Sequence, residues 1–261
     1  MLSESLTASR SSAVERGWSA ADFLRRVEPA DMPEWMDEPC TSDVLAGCLR
    51  DLERVNRLTM SYRPTLGFLS RAIGRRAGRE PLHVVDVGSG YGDMLRVIYR
   101  WARRRGVQLR LTGIDLNPQA AAIAAEATRA AGLPADAIKW RSGDAMTERS
   151  TQSPDVVVSS LVAHHLSHAE VVRFVRWMEG RARVGWFIND LERQRMPARM
   201  FGVLARVMRW HRFVQHDGPV SFRRAFRVAD WEQMLGEAGV AAGSVRIASA
   251  LPARLCVERL R

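Results

Sequence analysis

The fold of this chain is decided by one stretch, Val84-Val85-Asp86-Val87-Gly88-Ser89-Gly90-Tyr91-Gly92-Asp93. It begins with β-branched apolar residues, which are typical of a strand buried in a parallel sheet. It ends in a turn whose three glycines can adopt positive φ and leave no Cβ in the way of a ligand. Amphipathic residues follow from Met94 to Trp101. The pattern therefore predicts a strand, a turn and a helix N-terminus that enclose a nucleotide-sized pocket.

The spacing of the glycines distinguishes between nucleotide cofactors. A dinucleotide fold requires G-x-G-x-x-G, with Gly or Ala at the position that Asp93 occupies here. The pattern is instead G-x-G-x-G, preceded by Asp86 two residues before the first glycine. This stretch resembles motif I of the class I S-adenosylmethionine-dependent methyltransferases. The resemblance implies that Asp86 and the glycines surround the methionine part of that cofactor.

Two later acidic residues extend the resemblance. Asp115 follows a predicted strand and opens Asp-x-Asn-Pro, which resembles motif II; the fold places a carboxylate here against both ribose hydroxyls. Asp144 lies in Ser-Gly-Asp-Ala after the next strand and resembles the family's acceptor for the adenine amino group. The resemblance implies cofactor contacts at Asp86, Gly88, Ser89, Gly90, Gly92, Asp115, Leu116, Asp144, Ala145 and Ser160.

The apolar periodicity predicts the remainder of the sheet. Strands are indicated at 82–87, 109–114, 137–141, 155–160 and 184–188, with a terminal antiparallel hairpin at 245–248 and 254–257. A last crossover helix is predicted at 228–237. We therefore expect an α/β, Rossmann-like fold whose seven-stranded sheet is mostly parallel, with one antiparallel strand.

An N-terminal helical region is predicted in front of the sheet. Residues 1–80 are expected to form a polar, disordered tail and a helical cap. One helix begins at Ser42-Asp43 and ends before Tyr62-Arg63-Pro64, and another follows. Residues 81–261 are expected to form the core that resembles the methyltransferases.

A helical insertion is predicted after the fifth strand, at about 191–227, because this segment is too long for a plain loop. Apolar residues and arginines at helical spacing over 198–212 predict one amphipathic helix, and 216–219 predict a turn. The helix is interpreted as a lid over an apolar substrate, a homodimer surface or a peripheral membrane contact, with ordinary core packing as the alternative.

Candidate catalytic groups lie beyond the predicted ends of the fourth and fifth strands, where open α/β sheets bind ligands. His164 and His165 follow the fourth strand, Asp190 ends the fifth, and His216 lies near the predicted lid. A phenol or enol acceptor needs such a base near neutral pH. His165 is the first candidate, and a structural role is the alternative for each.

No metal is expected. Catechol-type enzymes of the family place an acid at the end of strand four and an Asp-Asn pair after strand five. This chain has Ser159-Ser160 and Asn189-Asp190 at those places. His164 and His168 have the i, i+4 spacing of a helical zinc pair but lack a third ligand of known position.

The acceptor is expected to be a small molecule. A formal net charge of +10 favours an anionic partner, but Lys139 is the only lysine and the arginines are spread through the chain. The motif IV sequences of base methyltransferases are absent. We predict methylation of a small hydrophobic or aromatic acceptor, most specifically O-methylation of a phenolic or polyketide-derived hydroxyl in secondary metabolism. C-methylation of a quinol ring, RNA methylation and a non-catalytic partner role are the alternatives.

A cytoplasmic location is predicted. The three cysteines have no metal-binding spacing, which favours reduced thiols. No run approaches ~18 apolar residues, and the first residues lack the layout of a signal peptide.

Overall fold

The structure, a computed structural model, describes residues 18–75, 80–147 and 152–261. The predicted tail at 1–12 lies outside these ranges. Seven strands form one sheet in the order β3-β2-β1-β4-β5-β7-β6, and β7 is antiparallel to both of its neighbours. The expected mostly parallel sheet with one antiparallel strand is therefore confirmed. The strands are β1 (Leu82–Val87), β2 (Leu109–Asp115), β3 (Lys139–Ser142), β4 (Val156–Ser160), β5 (Gly185–Leu191), β6 (Val245–Ala250) and β7 (Arg254–Leu260).

Eight α-helices accompany the sheet in the described ranges. They are α1 (Ser42–Leu58), α2 (Arg63–Gly74), α3 (Asp93–Arg104), α4 (Ala120–Ala130), α5 (His168–Arg181), α6 (Arg195–Val207), α7 (Arg212–Arg224) and α8 (Val228–Glu237). Short 3₁₀ turns lie at Ala21–Phe23, Trp35–Asp37, Ala163–His165 and Ala242–Ser244. None of these helices is long and apolar enough to cross a bilayer.

Both faces of the sheet are covered, as parallel strands require. On one face, Phe68 of α2 and Ile98 of α3 pack on Val84 and Phe187. On the other, α5 and α8 contribute a second cluster that contains Phe174. The N-terminal region covers the carboxyl edge of the central strands.

The strands differ from the sequence prediction mainly at β5, which runs to Leu191 rather than ending at Ile188, and at β7, which runs to Leu260 rather than ending at Val257. The reason is the pairing of these two strands, which places Asn189 and Asp190 opposite Cys256 and Leu255. Asp190 is consequently inside the sheet and fully buried, not beyond its end.

The insertion contains two helices, α6 and α7, where the sequence predicts one helix and a turn. The predicted turn at 216–219 is wrong, because these residues lie inside α7 with Pro219 in its interior. Proline removes one backbone hydrogen bond of the helix, and tertiary contacts offset that loss of stability. Pro219 packs on Gly202 of α6, and the Asp217 carboxylate accepts hydrogen bonds from the backbone N–H groups of Trp35 (2.8 Å) and Met36 (3.1 Å).

The insertion packs against the N-terminal region. Cys48 and Val55 of α1 share an apolar cluster with Ala205, Trp210 and Val214. The Trp35 indole stacks on the His216 ring, with 3.9 Å between ring centroids. As a result, α7 holds the 35–37 turn over the carboxyl edge of the sheet. The cysteines are free thiols, as predicted, and Cys48 and Cys256 are buried.

Candidate active site

A cavity of about 840 Å³ opens at the carboxyl ends of β1, β2 and β4. Its volume lies in the range of ligand pockets. The turns after these strands and after β3 form one wall. The N-terminal region forms the other, with Met36–Cys40 and with Leu45, Leu49 and Leu52 of α1. The cavity thus joins the predicted motifs to a segment that motif analysis does not reach.

The motif I turn has the backbone geometry that its glycines allow. Gly88 and Gly90 have φ of +73° and +46°. A Cβ at Gly88 would lie 2.2 Å from Cγ2 of Val162, so the turn can approach the loop after β4 only with glycine at this position. The Gly90 N–H donates to Oδ2 of Asp115 at 2.7 Å, which ties the turn to the end of β2.

The two acids after β2 and β3 border the cavity. Asp115 accepts a second backbone hydrogen bond, from Asn117 N–H to Oδ1 at 2.9 Å. Burial raises the pKa of Asp115, and the two amide hydrogen bonds oppose that effect. Asp144 is oriented by the Met146 N–H, which donates to its Oδ1 at 2.8 Å. Both carboxylates are held in one orientation by their own turns.

Eight of the ten predicted cofactor residues line this cavity. They are Gly88, Ser89, Gly90, Asp115, Leu116, Asp144, Ala145 and Ser160.

Gly92 does not line the cavity. It precedes α3 with φ of +72°, and a Cβ there would lie 2.2 Å from Cη2 of Trp140. The Trp140 indole therefore packs closely behind the turn at Gly92, and the contact of Gly92 with the cofactor stays a prediction.

Asp86 lies in a separate chamber of about 30 Å³ beneath the turn. The residue is 2% exposed. Burial, and then the negative charges of Asp93 and Asp115, raise its pKa well above the ordinary value. Its Oδ1 has no hydrogen-bond partner among the described residues.

His165 is the one predicted catalytic group that borders the cavity. Its Nδ1 lies 2.9 Å from Oδ1 of Asp37, and its Nε2 lies 3.7 Å from Oε2 of Glu34. Burial alone would lower the pKa of His165, but the charge of Glu34 and the hydrogen bond and charge of Asp37 outweigh burial, and the pKa is raised. Its neighbours therefore favour proton uptake by the imidazole.

His164 and Asp190 form a buried pair behind the cavity wall. The Asp190 carboxylate accepts from the His164 N–H at 3.1 Å and lies 2.6 Å from its ring Nδ1. Burial would raise the pKa of Asp190, but the charge and hydrogen bonds of His164 outweigh it, and the pKa is lowered. Neither side chain lines the cavity. Their predicted catalytic contact with a substrate does not fit this position, because β5 continues past Asp190.

His216 is also placed away from the cavity. It lies on α7, where its Nδ1 is 2.7 Å from Oδ1 of Asp217 and its ring stacks on Trp35. The helix points it at the N-terminal region instead of at a substrate, because the turn expected at this position does not form.

Three functional candidates were not predicted: Glu34, Asp37 and Arg224. Arg224, fully buried, donates from Nη1 to Oδ2 of Asp37 at 3.0 Å, and the same nitrogen lies 3.4 Å from Oε1 of Glu34. Glu34, which is 1% exposed, also accepts from the Ser221 hydroxyl at 2.8 Å. No local signal identifies them, because they come from segments almost two hundred residues apart. We call the polar cluster the set Glu34, Asp37, His164, His165, Asp190 and Arg224.

The polar cluster contains three potential metal ligands. Glu34, His164 and His165 each place one ligand atom within 4.8 Å of the others. The Arg224 guanidinium already lies beside the Glu34 carboxylate, and its positive charge opposes a cation at the same place. Absence of a metal stays a prediction.

Comparison with known proteins gives one domain match and many similar folds. Residues 84–185 match the family model of a methyltransferase domain. No curated protein matches the chain. The plantazolicin methyltransferase BamL, crystallised with S-adenosylhomocysteine, is 17% identical with a TM-score of 0.58 over 82% of this chain and 73% of its own. A SAM-dependent methyltransferase from Aquifex aeolicus is 15% identical with a TM-score of 0.56, over 82% and 97%.

The citrinin polyketide synthase CMeT domain is 16% identical, with a TM-score of 0.56 over 76% of this chain. This chain spans about half of that one, 52%. At these identities the similarity is one of fold.

The matched domain runs from β1 to the start of β5, which is the part of the sheet that carries the cavity. Residues 84–185 are therefore a methyltransferase domain, and the sheet around them has the fold of the S-adenosylmethionine-dependent methyltransferases. Solved structures of this fold hold S-adenosylmethionine or S-adenosylhomocysteine.

The cavity has features that fit this cofactor. Asp115 uses one lone pair of each oxygen on the backbone, which leaves capacity for two hydroxyl donors. Beneath the turn, Oδ1 of Asp86 has no hydrogen-bond partner among the described residues and is available to accept from a donor such as an ammonium. The roles of single residues toward the cofactor stay predictions.

Proposed function

We propose that the enzyme transfers the methyl group of S-adenosylmethionine to a hydroxyl of a small hydrophobic or aromatic acceptor, with His165 as general base. The observation that carries the proposal is the position of His165, which borders the same cavity as the motif I turn and is held by Asp37. When bound, S-adenosylmethionine supplies an electrophilic methyl group on its sulfonium.

The tautomer of His165 follows from its partner. Burial would raise the pKa of Asp37, but the hydrogen bond and charge of His165 and the charge of Arg224 outweigh it, and the pKa is lowered. An ionised carboxylate only accepts hydrogen bonds, so Nδ1 of His165 carries the proton. The lone pair then lies on Nε2, which can take the proton of an acceptor hydroxyl.

Glu34 supports the proton transfer. Its Oε2 lies 3.7 Å from Nε2 of His165, too far for a strong hydrogen bond but close enough to stabilise the imidazolium that forms. Asp37 positions the ring, as a carboxylate orients a catalytic histidine in a hydrolase triad. Removal of such a base typically costs ~10²–10⁴ in rate.

The chemistry of the cavity walls favours an apolar acceptor. Leu45, Leu49 and Leu52 of α1 line it together with Leu166 and Phe174. A phenol or a polyketide-derived hydroxyl matches these walls, and secondary metabolism in the cytoplasm is the setting we propose. C-methylation of a quinol ring is the second candidate, because the same base can remove a proton from the ring hydroxyl and leave a nucleophilic carbon.

The test is methyl transfer from labelled S-adenosylmethionine to panels of phenols, quinols and bulk RNA, after titration calorimetry with S-adenosylhomocysteine. We expect a labelled phenol whose mass fragmentation places the methyl on oxygen. His165→Ala is expected to lower kcat at least 100-fold while the affinity for S-adenosylhomocysteine stays within about twofold.

His168→Ala is the matched control. His168 lies three residues away, pairs with Glu237 at 2.7 Å and does not border the cavity, so its loss should leave kcat unchanged. A wild-type rate in His165→Ala would exclude it as the base. A C-methyl product would select the quinol alternative, and labelled RNA would overturn the small-molecule assignment.

A further inference from the structure

The small chamber beneath the motif I turn adjoins the large cavity. The two share the turn residues Gly88 and Ser89 and the end of β4 at Ser160-Leu161. Three charged side chains line the chamber: Asp93 of α3, Asp86 of β1 and Arg254 at the start of β7. Asp93 already accepts hydrogen bonds from Asn56 Nδ2 and the Tyr62 hydroxyl, which leaves Asp86 and Arg254. Asp86 and Arg254 are 168 residues apart in the sequence.

Both side chains are buried, and each has polar atoms that lack a hydrogen-bond partner. Asp86 is 2% exposed and Arg254 is 3% exposed. Within the described residues, Oδ1 of Asp86 and both Nε and Nη1 of Arg254 have no hydrogen-bond partner. Burial lowers the pKa of Arg254 to about 10, which leaves the guanidinium charged at neutral pH. Unpaired buried charges are costly, and such groups mark a place that a ligand or ordered water completes.

The signs of the two charges select the ligand. An acid and a guanidinium that line one chamber complement a zwitterion, with the ammonium toward the acid and the carboxylate toward the guanidinium. The amino-acid end of S-adenosylmethionine is such a zwitterion. The chamber holds about 30 Å³, so it admits only the charged end of the amino acid while the rest of the cofactor stays in the large cavity.

We propose that Arg254 binds the carboxylate at the methionine end of the cofactor. The proposal rests on the cofactor and not on the acceptor suggested above. It assigns a cofactor contact to the antiparallel strand β7, outside the matched domain. Arginine suits the role, because its planar fork can present two N–H groups to one carboxylate.

The test compares two ligands in Arg254→Met by titration calorimetry. S-adenosylhomocysteine carries the amino-acid end, whereas 5′-methylthioadenosine lacks it. We expect the variant to bind S-adenosylhomocysteine about 10- to 100-fold more weakly, the range of a lost hydrogen bond to a charged group. Binding of 5′-methylthioadenosine should stay within about twofold.

Two further variants keep the test decisive. Arg254→Lys retains the charge without the fork, and we expect an intermediate loss for S-adenosylhomocysteine alone. Arg246→Met changes an exposed arginine on the neighbouring strand β6 and should alter neither affinity. Equal weakening of both ligands would show that Arg254 is only structural, and unchanged affinities would show that the carboxylate lies elsewhere. Either result overturns the proposal and leaves the role of His165 untouched.

An independent observation concerns the outer face of α6. Met196, Met200, Val203 and Val207 are spaced by four, three and four residues, and they are 70%, 65%, 61% and 72% exposed. They form one apolar stripe, which we call the α6 stripe. The opposite face of the helix is buried against α7, so the stripe has no partner among the described residues.

The charge around the α6 stripe has one sign. Residues 193–216 contain six arginines and no aspartate or glutamate. Arg199, Arg206 and Arg209 are exposed beside the stripe. A second copy of the chain would bring these like charges together, whereas a surface of lipid phosphates complements them.

The geometry points to an anionic lipid bilayer as the surface on which α6 docks, with the α6 stripe in the interface and the arginines at the headgroups. The test is co-sedimentation with vesicles of phosphatidylcholine, with or without phosphatidylglycerol. We expect binding only with the anionic lipid, weakened by salt. In Met200→Asp/Val203→Asp it should fall at least tenfold, because charge in the apolar stripe opposes insertion.

Leu58→Asp on α1 is the control, since Leu58 is 55% exposed but lies outside the stripe. Wild-type protein that stays in solution with anionic vesicles would overturn the assignment. So would a dimer in analytical ultracentrifugation that the double variant dissociates, because it would assign the stripe to a second copy.

Discussion

Replacement of Asp115 by alanine tests the cofactor site most directly. Each carboxylate oxygen accepts one backbone N–H, from Gly90 or Asn117, and retains capacity for a ribose hydroxyl. Loss of two charge-assisted hydrogen bonds in a dry site would cost ~3–6 kcal/mol. Asp115 borders a wide cavity, so water replaces the side chain and the expected loss is ~1–3 kcal/mol, or about 5- to 150-fold in Kd.

The alanine variant also removes the bond that ties Gly90 to the end of β2. Two ligands separate the effects in titration calorimetry: S-adenosylhomocysteine and its analogue without the two ribose hydroxyls. If Asp115 binds the ribose, Asp115→Ala should weaken only the first, so that both ligands bind the variant equally. Equal weakening of both would assign Asp115 to shaping the turn. An unchanged Kd for S-adenosylhomocysteine would refute both roles.

Three further outcomes are expected. In Asp37→Asn the acid limb of the kcat–pH profile should move to lower pH, because Asp37 helps to raise the pKa of His165 and the neutral imidazole is the active form; an unmoved limb would mean that another group titrates. Gly92→Ala should lower the free energy of unfolding, measured with denaturant, by ~2–4 kcal/mol, because alanine is strained at positive φ and its Cβ would collide with Trp140. The control Gly132→Ala should lower it by only ~1–2 kcal/mol, because Gly132 has the same φ but no atom near its Cβ position. Dialysis against EDTA should leave methyl transfer unchanged, whereas a stoichiometric divalent metal in elemental analysis would make the polar cluster a metal site.

The cofactor side of the cavity could be predicted because its information is local. Gly88, Gly90 and Asp115 follow strand ends within short segments, and parallel strands bring their carboxyl ends to one edge. Asp144 is found in the same way. Gly92 packs against Trp140 and does not line the cavity, and sequence alone cannot distinguish a glycine needed for packing from one needed for a ligand.

The acceptor side could not be predicted because its contacts are distant in the chain. Glu34 and Asp37 meet Arg224 only after the insertion has folded over the edge of the sheet. The helix around Pro219 depends on packing against α6 and on Trp35, which local propensity does not include. The sequence prediction placed Asp190 beyond the last residue of the fifth strand. In the structure Asp190 lies inside β5, because pairing with β7 extends β5 to Leu191, and that pairing is visible only in the complete sheet.

The charges of the polar cluster explain why a base belongs at His165. Three carboxylates and one guanidinium leave a formal charge of −2 while both imidazoles are neutral. Uptake of a proton from the acceptor reduces this charge to −1 in a poorly solvated place, so proton transfer relieves repulsion in the cluster. His165 has Asp37 at Nδ1 and Glu34 3.7 Å from Nε2. His164 is arranged alike, with Asp190 at Nδ1 and Glu34 3.8 Å from Nε2, but it does not border the cavity. Of the two neighbouring histidines, only His165 combines access to the cavity with a nitrogen left free to receive that proton.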